Sequence, residues 1–484
     1  MAVRRFSSAV LAMDIGTSSL RTALFDGTAR RIADTTATRK YQVNYTSDGG
    51  AELDSGVVLR AAKSCVRSTL RAGAKARIAA VSGCGFWHSL LGLNAARQPI
   101  TPIWTWADTR ANSDAERLRE RFDERAIQQR TGCMLRAPYW PAKLSWIRRT
   151  NPRLFGRVRR WVSAAEWLYL ELFGVELCSF SMASGTGLYN LRRADWDAGL
   201  LEWCGLSREQ LNPIGDRPGR ARRVAGALCE AEVFAAIGDG AAGNLGSGAD
   251  RRGVIAVNIG TSAAVRMTES RTAKGRLPFG LFRHAVDGTR AVMGGAISNA
   301  GNLHQWCARE LRAAPDGPLA RSAAAENDLV LVPFWVGERA PSWPPDLGGA
   351  MIGLRQSTAA AQIESAATSS VFYRLAEILA LIEAATAPAK EIVISGGIVH
   401  APDALRILAD AFGRDVRVCR EPEASIRGAA IHAVSQRGQK PPALKRGRLI
   451  RHDARLAAKH RLRRERQSAA EAQMTKFIPL LPRQ

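Results

Sequence analysis

The chain has 484 residues and a formal net charge of +25, with 46% hydrophobic and 23% charged residues, 43 Gly and 21 Pro. That balance excludes a disordered or fibrous chain, and the length exceeds what one hydrophobic core usually supports, so at least two domains are expected. The eight cysteines, at 65, 84, 133, 178, 204, 229, 307 and 419, form no Cys-x-x-Cys pair and no His spacing that closes a zinc site, which points to a reducing, cytoplasmic setting.

The opening "MAVRRFSSAVLAMD" places a basic pair before an apolar run that is short, lacks a cleavage-like end and runs straight into Asp14, so it reads as a strand and not as a signal peptide. "LRTALFDGTARRIADTT" alternates and breaks at Gly27, which predicts the second and third strands of an antiparallel meander. A helical apolar period covers 56–75, and "RIAAVSGCGFWHSLLGLN" follows as strand, Gly-broken loop and strand. Helical patterns dominate from about 110 to 235. The Gly-rich "FAAIGDGAAGNLGSGADRRG" then leads into "VIAVNIGTS" at 254–262, a near copy of "VLAMDIGTS" at 10–18, with Asn258 in place of Asp14.

Downstream, "AVMGGAISNAGNLHQWCAREL" reads as strand, loop and helix, and "LVLVPFWVGERAPSWPP" as a strand entering a Pro-rich loop. "SSVFYRLAEILALIEAATAPA" carries Arg374, Glu377 and Glu383, so an amphipathic core helix is expected and no membrane span. "EIVISGGIVHAPDALRILADAFGRDVRV" is strand, Gly-Gly turn, helix and strand. Residues 437–484 form a tail with fourteen Lys or Arg against three acidic residues, expected to be helical and either solvated or docked. Nucleic acid is the less favoured partner for this tail, because no RNA-stacking signature or zinc finger accompanies the charge. The expected divisions are 1–250, 251–436 and 437–484.

Three Gly-bearing strand ends, at Asp14 to Ser18, Gly260 to Ser262 and Ser395 to Gly397, resemble the two phosphate loops and the adenosine loop of the actin-like and sugar-kinase superfamily. With "WHSLLGLN", "WADTRA", "MASGTGLYNL", "IGDGAAGNLGSGA", "NIGTSAAVR" and "GERAPSW" in that order, the chain resembles the FGGY carbohydrate kinases, and among them the gluconokinases, over about residues 9–435. The resemblance implies an α/β fold of two actin-like (ribonuclease H-like) domains with an ATP cleft between them. Gly/Ser/Thr turns let backbone N–H groups approach phosphates, and two such turns can hold one triphosphate from both sides. A carboxylate is wanted on only one side, which explains the change from Asp14 to Asn258.

What the resemblance implies for single residues is specific. ATP would meet Gly16, Thr17, Ser18, Gly260, Thr261, Gly396 and Gly397, and Mg2+ would sit by Asp14, with Asp239 nearby. Asp239, in "IGDGAAG", takes the place of the catalytic base that accepts the hydroxyl proton. Trp87, His88, Trp106, Asp108 and Arg110 would line the polyol site, although Trp106 also suits a core and Asp108 with Arg110 an ion pair that fixes the loop. Lys143 matches a family lysine that meets either ligand or scaffold, and Glu338 and Arg339 are expected to hold the shape of the "GERAP" loop.

The pattern departs from the gluconokinases around the ligands. Trp87 stands where Met is typical, which predicts a smaller pocket. Arg136 and Tyr139 replace His and Ser, and Arg136 could bind a carboxylate bidentately, as an aldonate would require, or reach a phosphate or solvent. Ala401 and Ala404 replace Ser and Trp, which predicts an altered grip on the nucleotide base. The expected reaction is ATP- and Mg2+-dependent phosphorylation of a terminal hydroxyl of a sugar or sugar acid, with D-gluconate to 6-phosphogluconate leading. The alternatives are a kinase of xylulose, ribulose or erythritol, or a non-catalytic ligand-binding regulator. No membrane partner is expected, and a homodimer is left open.

Overall fold

The computed structural model describes residues 8–221, 228–311, 321–344 and 347–477. Arg4 and Arg5 of the opening and the last residues of the tail lie outside them. The apolar strand Ala9–Ile15 sits inside a seven-stranded sheet, antiparallel to Ser19–Asp26 and parallel to Ile78–Gly85. Its near copy Val254–Ile259 sits in a second seven-stranded sheet, antiparallel to Ala263–Ser270 and parallel to Glu391–Ser395. The repeated nine letters are therefore a repeated structural unit, one in each lobe. Both hairpin turns close on a backbone bond of 2.9 Å, from Gly16 N to the Ser19 carbonyl and from Gly260 N to the Ser262 carbonyl.

The third strand of the first lobe is Ala37–Lys40, further along than the alternation suggested. Asp26 Oδ1 accepts from the backbone of Thr28 and Arg30, which folds the intervening residues into a turn. Thr35 Oγ1 then accepts from Leu24 N and holds the returning chain against the sheet before pairing begins. The predicted helix appears as Ser55–Ala72, capped by Asp54, whose side chain accepts from Val57 N.

Each lobe has its own apolar core. The helix Ala424–Gln436 follows six of the seven strands of the second sheet, yet it inserts Ile426, Ala430 and Val434 into the core of the first lobe. There it crosses Asp239–Ser247 with almost no side chain between the backbones. A Cβ at Gly246 would lie 1.7 Å from the Ala424 carbonyl oxygen, and one at Gly428 would lie 1.8 Å from that of Ala242. This crossing fixes the helix that begins at Asp239 against the chain arriving from the second lobe.

The basic tail is docked. Leu449–Ile450 adds an edge strand beside Val416–Val418, and the helix Ala454–Phe477 packs on Pro402–Phe412 and Ala360–Ala385. Its Glu471 accepts from Arg374 Nη1 at 2.6 Å, with both residues buried. The helix Ala360–Ala385 is long and apolar enough to cross a bilayer by composition, and it lies mostly buried in the second core.

Candidate active site

Two adjoining cavities open between the lobes. One, of about 210 Å³, is lined by Asp14, Arg21, Asp239, Asn258, Ser395, Gly396, Glu423 and Ser425. The other, of about 240 Å³, is walled by Trp87, His88, Trp106, Tyr139, Phe282, His284 and Trp343, with Thr17, Asp239, Asn258, Ser262, Arg266 and Arg339 supplying polar atoms. The first suits a polyphosphate between carboxylates and a glycine turn. The second suits a polyol, with aromatic faces for C–H surfaces and polar tips for hydroxyls.

Asp14 is the penultimate residue of the opening strand, beside Cys84, whose thiol donates to Asp14 Oδ1 at 3.4 Å. Burial pushes its carboxyl up to about 6, and the nearby Asp239 adds to the rise. Asp239 opens the helix Asp239–Ser247, where the positive end of the helix dipole favours a carboxylate. Its Oδ1 accepts from Gly240 N at 2.7 Å, and burial raises its pKa against the pull of Arg266. Two partly desolvated carboxylates facing one cavity fit a hard divalent cation. Among the described residues no group of three or more His, Cys, Asp or Glu could hold a metal ion, so such a cation would keep most of its ligands from phosphate and water.

The two turns flank these cavities. Trp106 Nε1 donates to Thr17 Oγ1 at 3.1 Å, and Tyr41 donates its hydroxyl to the Gly16 carbonyl at 2.6 Å, which ties the first turn to the polyol wall. Gly301 N and Asn302 N, at the start of the helix Gly301–Glu310, donate to the carbonyls of Gly260 and Thr261. Asn258 Nδ2 donates to Ser395 Oγ at 3.1 Å, joining the second turn to the Gly-Gly segment. Gly396 needs its glycine: φ is +90°, and a Cβ would meet the Ile259 carbonyl oxygen at 2.3 Å. Gly16, Ser18, Gly260, Thr261 and Gly397 belong to these turns without lining either cavity. Ala401 and Ala404 begin the helix Pro402–Phe412 beyond them.

Trp87 is buried over three glycines. A Cβ at Gly238 would come within 1.8 Å of its ring, and Gly185 and Gly240 leave similar room, so its bulk is absorbed by the loop that presents Asp239. Its Nε1 donates to the Ser181 carbonyl at 3.0 Å. His88 adopts the left-handed backbone, φ 69°, which turns its ring onto the Gly185 carbonyl at 2.5 Å and against Tyr139. Burial lowers its pKa to about 3, so the ring is neutral and reads hydroxyls as a dipole.

Three expected substrate residues lie elsewhere. Asp108 is buried, accepts from Ala51 N at 3.2 Å and pairs with Arg110, which also binds Glu52 at 2.6 Å and stacks over Trp146. Neither lines the polyol cavity, because both are consumed in fixing their loop. Arg136 pairs with Glu124 at 2.6 Å and donates to the Leu135 carbonyl, so it too is engaged by protein. Lys143 is scaffold: its Nζ donates to the carbonyls of His88 and Thr105 at 2.9 and 2.6 Å.

Two arginines take their place. Arg339, expected only to shape its loop, lies over the Trp106 ring at 4.8 Å and lines the polyol cavity. It donates through Nε to Ser298 Oγ and through Nη2 to the Ile297 carbonyl, and Nη1 makes no hydrogen bond among the described residues. Arg266, in the strand after the second turn, lines the same cavity, and a single cation inside the apolar run "SAAVRM" is the sequence signal for such a buried charge.

Family models described as the N-terminal and C-terminal domains of the FGGY family of carbohydrate kinases match residues 9–245 and 255–436. A gluconokinase of Bacillus subtilis (strain 168) is 27% identical over 460 residues, covering 88% of this chain and 87% of its own. A xylulose kinase of Lactococcus lactis subsp. lactis (strain IL1403) is 26% identical over 424 residues, covering 84% and 83%. A solved gluconate kinase from Lactobacillus acidophilus shares the fold with a TM-score of 0.88, at 22% identity, covering 97% of this chain and 98% of that one. The paired turns, the cleft between two like lobes and the matched halves make this chain a member of the FGGY family of carbohydrate kinases, a phosphotransferase with an alcohol group as acceptor.

Proposed function

We propose that the protein uses ATP and Mg2+ to phosphorylate the terminal hydroxyl of a sugar acid, with D-gluconate to 6-phosphogluconate as its reaction. The observation that carries this reading is the charge of the polyol cavity: two guanidinium groups, Arg266 and Arg339, face one carboxylate, Asp239, among neutral aromatic and histidine rings. Arg266 offsets Asp239, which leaves Arg339 as an excess cation over Trp106 to meet a substrate carboxylate. Asp239 accepts the hydroxyl proton, and the aromatic wall orients the sugar. Asp14, with Asp239 beside it, would hold Mg2+ through water, and the metal would neutralise charge on the phosphates. The two Gly-Thr-Ser turns flank the cavities, with Thr17 and Ser262 reaching the polyol side, and would meet the nucleotide's terminal phosphate from either lobe. Eight free cysteines are consistent with the cytoplasm as its setting.

A second reading, phosphorylation of a neutral ketose or polyol such as xylulose, is favoured by the engagement of Arg136 with Glu124, which removes one expected carboxylate ligand. The regulator reading is disfavoured by Asp14 and Asp239 meeting in one cavity, since ligand sensing alone needs no base. Coupled ADP release over a panel of aldonates, aldoses, ketoses and polyols, with Asp239→Asn as control, tests the choice. Turnover on gluconate that vanishes in the variant supports the reading, and preference for a neutral sugar overturns the gluconate assignment.

A further inference from the structure

Three residues, Asp239, Asn258 and Arg266, line both cavities, so they stand where a phosphoryl group must pass from nucleotide to sugar. Asp239 is the base and Asn258 bonds to Ser395, whereas Arg266, whose charge offsets Asp239, makes no hydrogen bond or close ion pair with it among the described residues. Its Nε is buried with no hydrogen-bond partner among the described residues. The backbone makes room for it at two glycines: a Cβ at Gly240 would come within 2.7 Å of Nε, and one at Gly294 within 3.0 Å of Cγ. A desolvated guanidinium held this way costs free energy unless an anion meets it.

We propose that Arg266 is a catalytic residue that binds the transferring phosphoryl group, an assignment that rests on the kinase reading above. In the step, the sugar oxygen forms a bond to the γ-phosphorus while the bond from that phosphorus to the β,γ-bridging oxygen breaks. The electron pair leaves on ADP, and the hydroxyl proton passes to the Asp239 carboxylate. Charge spread over the three equatorial oxygens of the moving group is met by a cation already in place, and the reaction needs no reorganisation to bring it there. The same guanidinium counteracts the burial that raises the Asp239 pKa.

The test uses the full-length chain with Arg266→Met and Arg266→Lys, each checked for the wild-type melting transition and for binding of Mg-ADP by calorimetry. Mg-ADP is then titrated with gluconate, or the sugar the panel selects, with and without aluminium fluoride as a mimic of the moving phosphoryl group. Arg266→Met is expected to lower kcat on the order of 10²–10³-fold with Mg-ADP binding changed less than about threefold. It is also expected to lose the tightening that aluminium fluoride gives the wild type and to move the acid limb of kcat to higher pH. Arg266→Lys, which keeps a charge and is the variant to read if the Met form does not fold, recovers part of each.

Full tightening by aluminium fluoride in Arg266→Met, or a raised KM confined to acidic sugars at unchanged kcat, overturns the assignment, the latter making Arg266 a substrate-carboxylate receptor. A wild type that turns over no sugar and shows no tightening fails the kinase reading itself, which separates the two failures.

Discussion

Replacing Gly246 by Ala puts one methyl group where two helices meet. The added Cβ would stand 1.7 Å from the Ala424 carbonyl oxygen, short of ordinary contact by about 1.7 Å, and both partners are backbone. The helices Asp239–Ser247 and Ala424–Gln436 must therefore move apart. Overpacking of this kind costs about 1–3 kcal/mol, and the clash here belongs at the upper end, while Ala in place of Gly returns at most about 1 kcal/mol of helix propensity. A net loss of about 2 kcal/mol lowers the melting temperature of a lobe this size by roughly 4–8 °C. Because Asp239 heads one helix and Glu423 and Ser425 border the other, the shift also displaces the base from the phosphate cavity, and kcat falls about tenfold or more. Gly243→Ala, on the same helix, is the control for stability, since its Cβ meets only Ser425 Oγ at 3.8 Å. Scanning calorimetry and coupled ADP release decide the matter: Gly246→Ala as stable as wild type would refute the argument from the crossing.

Further expectations concern charge. Burial raises the Asp14 carboxyl from 3.8 to about 6, so between those values the folded chain binds more protons than the unfolded one, and stability falls as pH rises through that window. Asp14→Asn is therefore expected to raise stability at neutral pH by up to about 3 kcal/mol, to flatten the pH dependence of melting between 4 and 6, and to abolish turnover. Arg339→Gln should raise KM for gluconate roughly 10–100-fold by steady-state kinetics, with little effect on any neutral polyol that is turned over. Glu471→Ala leaves the buried Arg374 guanidinium with Glu377, at 3.4 Å, as its remaining carboxylate and is expected to cost roughly 1–3 kcal/mol in denaturant unfolding. That variant should also raise KM, because Arg374 Nη2 donates to the Ala340 carbonyl beside Arg339.

The parts of the site made by local chain were legible in the sequence. Gly-Thr-Ser turns after apolar strands, and Asp239 between glycines, announce themselves because backbone approach to a ligand demands small residues in consecutive positions. Charged side chains were not legible in the same way. Arg110, Arg136, Arg266 and Arg339 look alike as letters, and what separates them is whether Glu52 or Glu124 reaches them through the fold. The helix Ala424–Gln436 was similarly opaque: its apolar face serves the core of the other lobe, a fact no periodicity carries.

The proposed reaction is transfer of a phosphoryl group from ATP to a sugar acid with Asp239 as base. Phosphorus NMR of purified protein incubated with ATP, Mg2+ and D-gluconate tests it most directly. A phosphomonoester on the C6 oxygen is expected to form with wild type and not with Asp239→Asn. Equal product with Asp239→Asn, or phosphorylation of a neutral sugar in preference to gluconate, would contradict it.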